Sequence, residues 1–212
     1  MESSAKKNIL KKIKQALATP VPVPFSHQST VQILNEQQQE TEVEFAEKFT
    51  SLQGRFSFCF DNVEMVNQLK TLFAARNWEK IFIKDDALQQ TLQSAGLNIN
   101  YTNNLAKCDA AITTCECLIA RTGSIVLSAA QQSGRTVSVY APVHICIAYT
   151  NQLVYDIKDG LELVQNKYHK NLPSLITFAT GPSRTADIEK TLVTGVHGPK
   201  EVFCFLIQAE NT

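Results

Sequence analysis

The sequence predicts an α/β fold: a mainly parallel sheet with flanking helices, a mixed or antiparallel strand insertion and an N-terminal helical extension. Three observations carry this. From Phe56 onward, apolar runs of strand length alternate with stretches of helical periodicity. Between residues 109 and 149, four such runs follow one another with little helix between them. Parallel neighbours need long crossovers, so closely spaced strands point to local antiparallel or mixed pairing. Ahead of all this, "TPVPVP" sets three prolines at alternate positions and forces an extended link.

In chain order, residues 3–18 read as a basic amphipathic helix. Ile9, Leu10, Ile13 and Leu17 recur at helical spacing among Lys6, Lys7, Lys11, Lys12 and Lys14. Its modest apolar face suits docking on the main domain or a partner; a membrane-surface role is the alternative. A polar helix over about 35–52 follows. Residues 1–54 are thus read as a helical extension with a Pro-rich linker, and 55–212 as the α/β domain. "FSFCF" is the first strand of that domain. Asp61 caps the next helix with Glu64 three residues on, and Val66, Leu69 and Phe73 form its buried stripe. "KIFIK" is a second strand, and 86–95 a helix closed by Gly96. "DAAIT", "GSIVL", "TVSVYA" and "HICIAY" read as strands. Residues 156–168 form a helix with Ile157, Leu161, Val164 and Tyr168 on one face. "LITFAT" reads as a buried strand, 185–194 as a short helix and "EVFCFLI" as the closing strand.

Composition bounds the function. Twenty basic residues balance twenty acidic ones, so no electrostatic pull towards nucleic acid is expected. No apolar run approaches the roughly 18 residues of a membrane span, and no signal-peptide pattern opens the chain. A cytoplasmic protein is expected. Of six cysteines, Cys59, Cys146 and Cys204 sit in strand-like apolar runs as small hydrophobes. Cys108, Cys115 and Cys117 cluster, but without the C-x-x-C pairs of metal or iron–sulfur sites. No metal and no cofactor are expected.

The stretch "TGPSRTADIEKTLVTGVHGPKE", residues 180–201, holds most of the candidate chemistry. Read as strand, loop and helix, it places Gly181, Ser183, Arg184 and Thr185 at a strand's carboxyl end and a helix amino terminus. Both are places where anions bind. Asp187 and Glu189 in the same first turn would repel an anion, so a well-capped helix with an ordinary loop stands as the alternative. Neither of the glycine-rich phosphate loops is present. Thr122, Gly123 and Ser124 are placed on the opposing wall of the cleft, with His144. His144 is read either as a satisfied buried histidine or as a catalytic one. His197, in "GVHGP", is either a turn histidine or a general base. Asp187 is assigned to holding His197 or Arg184 in place, and Arg135 to the same cleft.

"GPSRTADIE" and "VHGP", preceded by "TGSIVL" and "GRTVSVYAPVHICI", resemble the lactate-utilisation protein C family, the LUD domain. The resemblance spans roughly residues 56–208. It implies a fold like that of sugar-phosphate isomerases and CoA transferases. It also implies a part in oxidising L-lactate to pyruvate beside iron–sulfur oxidoreductase subunits, which would carry the clusters. Many relatives have an acidic residue before the T-G-[ST] motif, where this chain has Arg121. Arginine cannot act as a carboxylate nucleophile but can hold a carboxylate or phosphate bidentately. Three functions stay open: an accessory or ligand-binding subunit of a lactate-oxidising complex, a stand-alone small-molecule enzyme of isomerase, CoA-transferase or folate cyclo-ligase type, and a non-catalytic interaction module.

Overall fold

The computed structural model describes residues 39–188 and 191–209, together with Lys11. The expected helix over 3–18 otherwise lies outside the described residues, as do the Pro-rich link and the start of the helix expected over 35–52. Helix α1 spans Thr41–Ser51, β1 Arg55–Cys59, α2 Asn62–Arg76, β2 Ile81–Phe82 and α3 Asp86–Ser94. Then come β3 Ala110–Thr113, β4 Cys117–Ile119, β5 Ser124–Ser128, the one-turn α4 Val137–Tyr140 and β6 Val143–Tyr149. The chain continues with β7 Leu153–Val154, α5 Ile157–Tyr168, β8 Ile176–Ala179, β9 Arg184–Ile188, β10 Thr191–Thr194 and β11 Glu201–Ile207.

Five strands form an all-parallel sheet in the order β1-β11-β6-β3-β2. Four form a mixed sheet in the order β7-β4-β5-β8, in which β5 runs antiparallel to both neighbours. The mixed sheet is the insertion that the closely spaced apolar runs imply. On one face of the parallel sheet, Ile145, Ile147, Phe203 and Phe205 pack on Val66, Leu69 and Phe73 of α2 and Leu88 and Leu92 of α3. On the other, Cys146, Val202 and Cys204 meet Phe45 and Phe49 of α1 and Leu118 and Ile125 of the mixed sheet. Helix α5 covers the far side of the mixed sheet through Val164. Both sheets are therefore sandwiched, which is why β5 and β6 read as unbroken apolar runs.

Helix ends follow their sequence signals. The Asp61 carboxylate accepts from the Glu64 amide at 2.7 Å, and Glu64 reaches back to the Phe60 amide. Asp156 and Asp159 make a reciprocal capping box at α5. On α5 the expected face holds at Val164, which is buried, whereas Leu161 is 42% exposed.

Three expectations are corrected. "TVSVYA" forms α4 rather than a strand, because β3 and β6 already pair with strands on both sides and leave it no edge. Pro142 then ends the turn by holding Ala141 extended. "LITFAT" is an edge strand of the mixed sheet, with Phe178 partly exposed, and not a buried strand of the parallel sheet. Residues 184–188 and 191–194 pair as the antiparallel strands β9 and β10, in place of a helix. Thr185, Ile188, Thr191, Val193 and Thr194 are β-branched, and that propensity outweighs the caps that suggested a helix.

Candidate functional site

The two T-G motifs meet at the end of α1. Strands β5 and β8 are antiparallel, with Ile125 opposite Ala179, so Thr122-Gly123-Ser124 and Thr180-Gly181 lie side by side. The Ser124 hydroxyl is 2.8 Å from those of both Thr122 and Thr180. Gly123 and Gly181 take φ of +60° and +85°, and their open faces receive the helix. A Cβ on Gly123 would lie 2.6 Å from the Phe49 amide nitrogen, and one on Gly181 would overlap the Leu52 carbonyl oxygen. Arg184 donates to that same Leu52 carbonyl at 3.3 Å. A cation there suits the negative end of the α1 dipole.

The structure brings Thr122, Gly123, Ser124, Gly181 and Arg184 together around a helix carboxyl terminus. Thr185 stands in β9 opposite Val193 and Asp187 in the same strand, so neither belongs to a helix amino terminus. Arg121 does hold a carboxylate bidentately: that of Asp156, at 2.8 and 3.2 Å. Arg135, expected in the cleft, instead hydrogen-bonds Ser174.

A second neighbourhood adjoins the first through Ser183. Its amide donates to Pro199 at 3.0 Å, its carbonyl accepts from the Gly195 amide at 2.9 Å, and its Cβ lies against Gly198. The Lys200 amide donates to Pro142 at 2.8 Å. These bonds draw residues 195–200 against residues 139–142 and enclose a cleft of about 460 Å³. Its walls are Val139, Tyr140, Pro142, Val196, His197 and Lys200, with backbone between them, and among the described residues no carboxylate lines it. Tyr140 is 72% exposed and His197 and Lys200 are exposed. The cleft sits before β6 and β11, at the amino ends of parallel strands, because His197 precedes β11 instead of following a helix. Residues 180–183 follow the carboxyl end of β8, whereas His197 and Lys200 stand at the amino ends of parallel strands.

His144 is separate from both. It is fully buried on β6 between β3 and β11, with Nε2 2.8 Å from the Thr113 hydroxyl. Its Nδ1 is buried with no hydrogen-bond partner. Burial pushes its pKa down to about 4, so the ring is neutral and not a wall of the cleft.

One cluster escaped the sequence reading. The side chain of Glu116 is fully buried, and its carboxylate accepts from Ser128 at 2.5 Å, Lys167 at 2.7 Å and Tyr168 at 2.8 Å. Burial alone would raise its pKa, but these three donors together hold it below the ordinary carboxylate value. The signal was a lone charge inside the apolar run "TTCECLIA". The six cysteines are buried free thiols. Burial pushes Cys59 up to about 11 and Cys117 up to about 12, which leaves them poor ligands and nucleophiles.

A mixed strand insertion on a parallel sheet, with paired T-G turns clasping a helix end, defines one class of domain. The chain belongs to the LUD domain family, whose model matches residues 43–207. It is 36% identical over 99 residues to lactate utilization protein C of Deinococcus radiodurans, 46% of each chain. It is 34% identical over 98 residues to lactate utilization protein C of Bacillus subtilis, 45% of this chain and 41% of that one. An uncharacterised protein of Neisseria meningitidis matches at 34% over 106 residues, 49% of this chain and 44% of that one. These alignments span less than half the length of the curated relatives. In three dimensions the fold is similar to that of a DUF162 family protein from Deinococcus radiodurans. The TM-score is 0.62 at 18% identity, over 82% of this chain and 99% of that chain. Among the described residues, no helix is long and apolar enough to cross a membrane.

Proposed function

We propose that this chain serves an L-lactate oxidation system, lactate to pyruvate, as an accessory or ligand-binding subunit beside iron–sulfur subunits. The observation that carries the ligand-binding part is the cleft at residues 139–142 and 195–200. It presents Lys200, His197 and Tyr140 with no opposing carboxylate among the described residues, a lining suited to the carboxylate of a small hydroxy or oxo acid. The lactate assignment is supported by relatives named lactate utilization protein C. The iron–sulfur partners enter from the family resemblance of the T-G and V-H-G-P motifs.

A non-catalytic role is favoured over a stand-alone enzyme by one specific feature. The polar side chains of the T-G motifs are engaged with one another, and Arg184 is engaged with the end of α1. Arg121 is occupied by Asp156. Arg121, and not a carboxylate, precedes the Thr122-Gly123-Ser124 motif, where a CoA-transferase-type nucleophile would be needed.

The test is growth on L-lactate as sole carbon source after deletion of the gene, with rescue by variants. Lys200→Ala and His197→Ala should fail to restore growth while accumulating to the normal protein level. Affinity purification of the native chain should bring down iron–sulfur proteins. Full rescue by both variants would remove the cleft from the function, and recovery of the chain alone would remove the partners.

A further inference from the structure

The outer edge of the parallel sheet carries the least explained surface among the described residues. Strand β1 pairs with β11 on one side, and no described strand covers its other side. Such an edge presents backbone N–H and C=O groups to any incoming strand, and proteins usually blunt it with charge, proline or a bulge. Here residues 55–61 read "RFSFCFD", with no proline and with phenylalanine at every second position. Phe56 and Phe58 line a groove of about 790 Å³ together with Val43 and Ala46. Phe60 stands 75% exposed, edge-on to Phe58 at 5.7 Å, and Val63 beside it is 55% exposed.

The residue order itself specifies an occupant. Laid antiparallel on a second copy about Phe58, the segment is self-complementary. Phe58 meets Phe58, Phe56 meets Phe60, Ser57 meets Cys59, and Arg55 meets Asp61. Three aromatic pairs then share one face, and an opposite-charge pair closes each end. Slipping by two residues either way keeps aromatics opposed but leaves both charges unpaired, with Arg55 opposite Cys59 or Val63. Slipping by one residue places every phenylalanine opposite a polar residue, a charge or cysteine. Arg55 is available, because its bond to Glu201 uses Nε and its side chain is 56% exposed. Asp61 caps α2 through one carboxylate oxygen, which leaves the other.

We propose that this chain forms a two-fold dimer in which the β1 strands of two copies pair antiparallel about Phe58, joining two five-stranded sheets into one. The interface is isologous, as two-fold symmetry requires, and the inference does not draw on the lactate reading.

Sedimentation of the full chain at tens of micromolar should give twice the chain mass. Phe60→Glu, at an exposed position outside the core, should weaken dimerisation at least tenfold with an unchanged circular-dichroism spectrum of the folded chain. Phe58→Cys places a thiol on the two-fold axis while the native thiols are buried. Mild oxidation should therefore crosslink it quickly, and a Val139→Cys control should stay uncrosslinked. A monomer at these concentrations overturns the proposal. So does a dimer that survives Phe60→Glu, a folded Phe58→Cys protein that does not crosslink, or a different protein found bound along this edge. If Phe58→Cys fails to fold, the Phe60→Glu result decides alone.

Discussion

His144 shows what one residue contributes when it is sealed inside a sheet. Its imidazole is neutral and tied to Thr113, and its folded pKa of about 4 lies below the ordinary histidine value of about 6.5. The unfolded chain therefore takes up a proton first as pH falls. The stability His144 contributes is complete above about 6.5 and is lost as pH drops towards about 4, on the order of 3 kcal/mol. Proton NMR should find one imidazole titrating near 4, and His144→Gln should flatten the stability curve between those values. Glu116 works in the same direction at lower pH. Its carboxyl is depressed, so its contribution is present above the ordinary glutamate range and lost as pH falls through it and below. Urea unfolding at pH 7 and pH 4 should show Glu116→Gln destabilising the neutral protein by at least about 1.5 kcal/mol and the acid form by less. In the sequence, His144 was legible as a choice between two roles. Burial on both sides by paired strands decides for the structural one, and no single residue could show that pairing. Glu116 was overlooked because its three partners come from residues 128, 167 and 168, assembled only by the mixed sheet and the last turn of α5.

At the scale of elements, α1 is held by the pair of glycine turns. An alanine at Gly123 or Gly181 must adopt left-handed backbone and push its Cβ into helix main chain. Left-handed strain costs about 1–2 kcal/mol and overpacking about 1–3 kcal/mol, so either variant should lose about 2–5 kcal/mol in chemical denaturation. Arg184→Ala removes only an exposed contact with the Leu52 carbonyl and should cost about 0.3–1 kcal/mol. The cap at Asp61 was read from the sequence, and it accepts the Glu64 amide; Asp85 and Asp156, not singled out there, cap α3 and α5 in the same way. The β9–β10 pair was misread because Asp187 and Glu189 imitate the acidic first turn of a helix. Its β-branched pairs count only once the strands face one another. "CLI" at β4 escaped notice because three residues carry no measurable period.

For the whole molecule, the α/β class and the mixed insertion were readable because alternating element lengths leave few other architectures. Strand order was not readable, since it depends on which edges remain free as the sheet closes. The resulting order sends β1 and β2, neighbours in sequence, to opposite edges, and seats β11 between β1 and β6. Residues 55–59 thus find their partners only at 203–207. A chain ending at residue 200 should lose the cooperative thermal transition altogether, because both apolar faces lose Val202 through Ile207 at their centre.

That placement also sets a timetable for synthesis. As the chain leaves the ribosome, the α2–α3 side of the sheet can begin to assemble from β2, β3 and β6, all nearer in sequence. The phenylalanine-rich β1, made early, has no neighbour until the strand at residues 201–207 clears the exit tunnel. Over the roughly 140 residues between them it is an unsatisfied adhesive segment, of the kind that chaperones bind and that joins wrong partners at high expression. Release of nascent chains from such a chaperone should therefore track emergence of the final strand, and ribosome-stalled chains lacking it should remain bound.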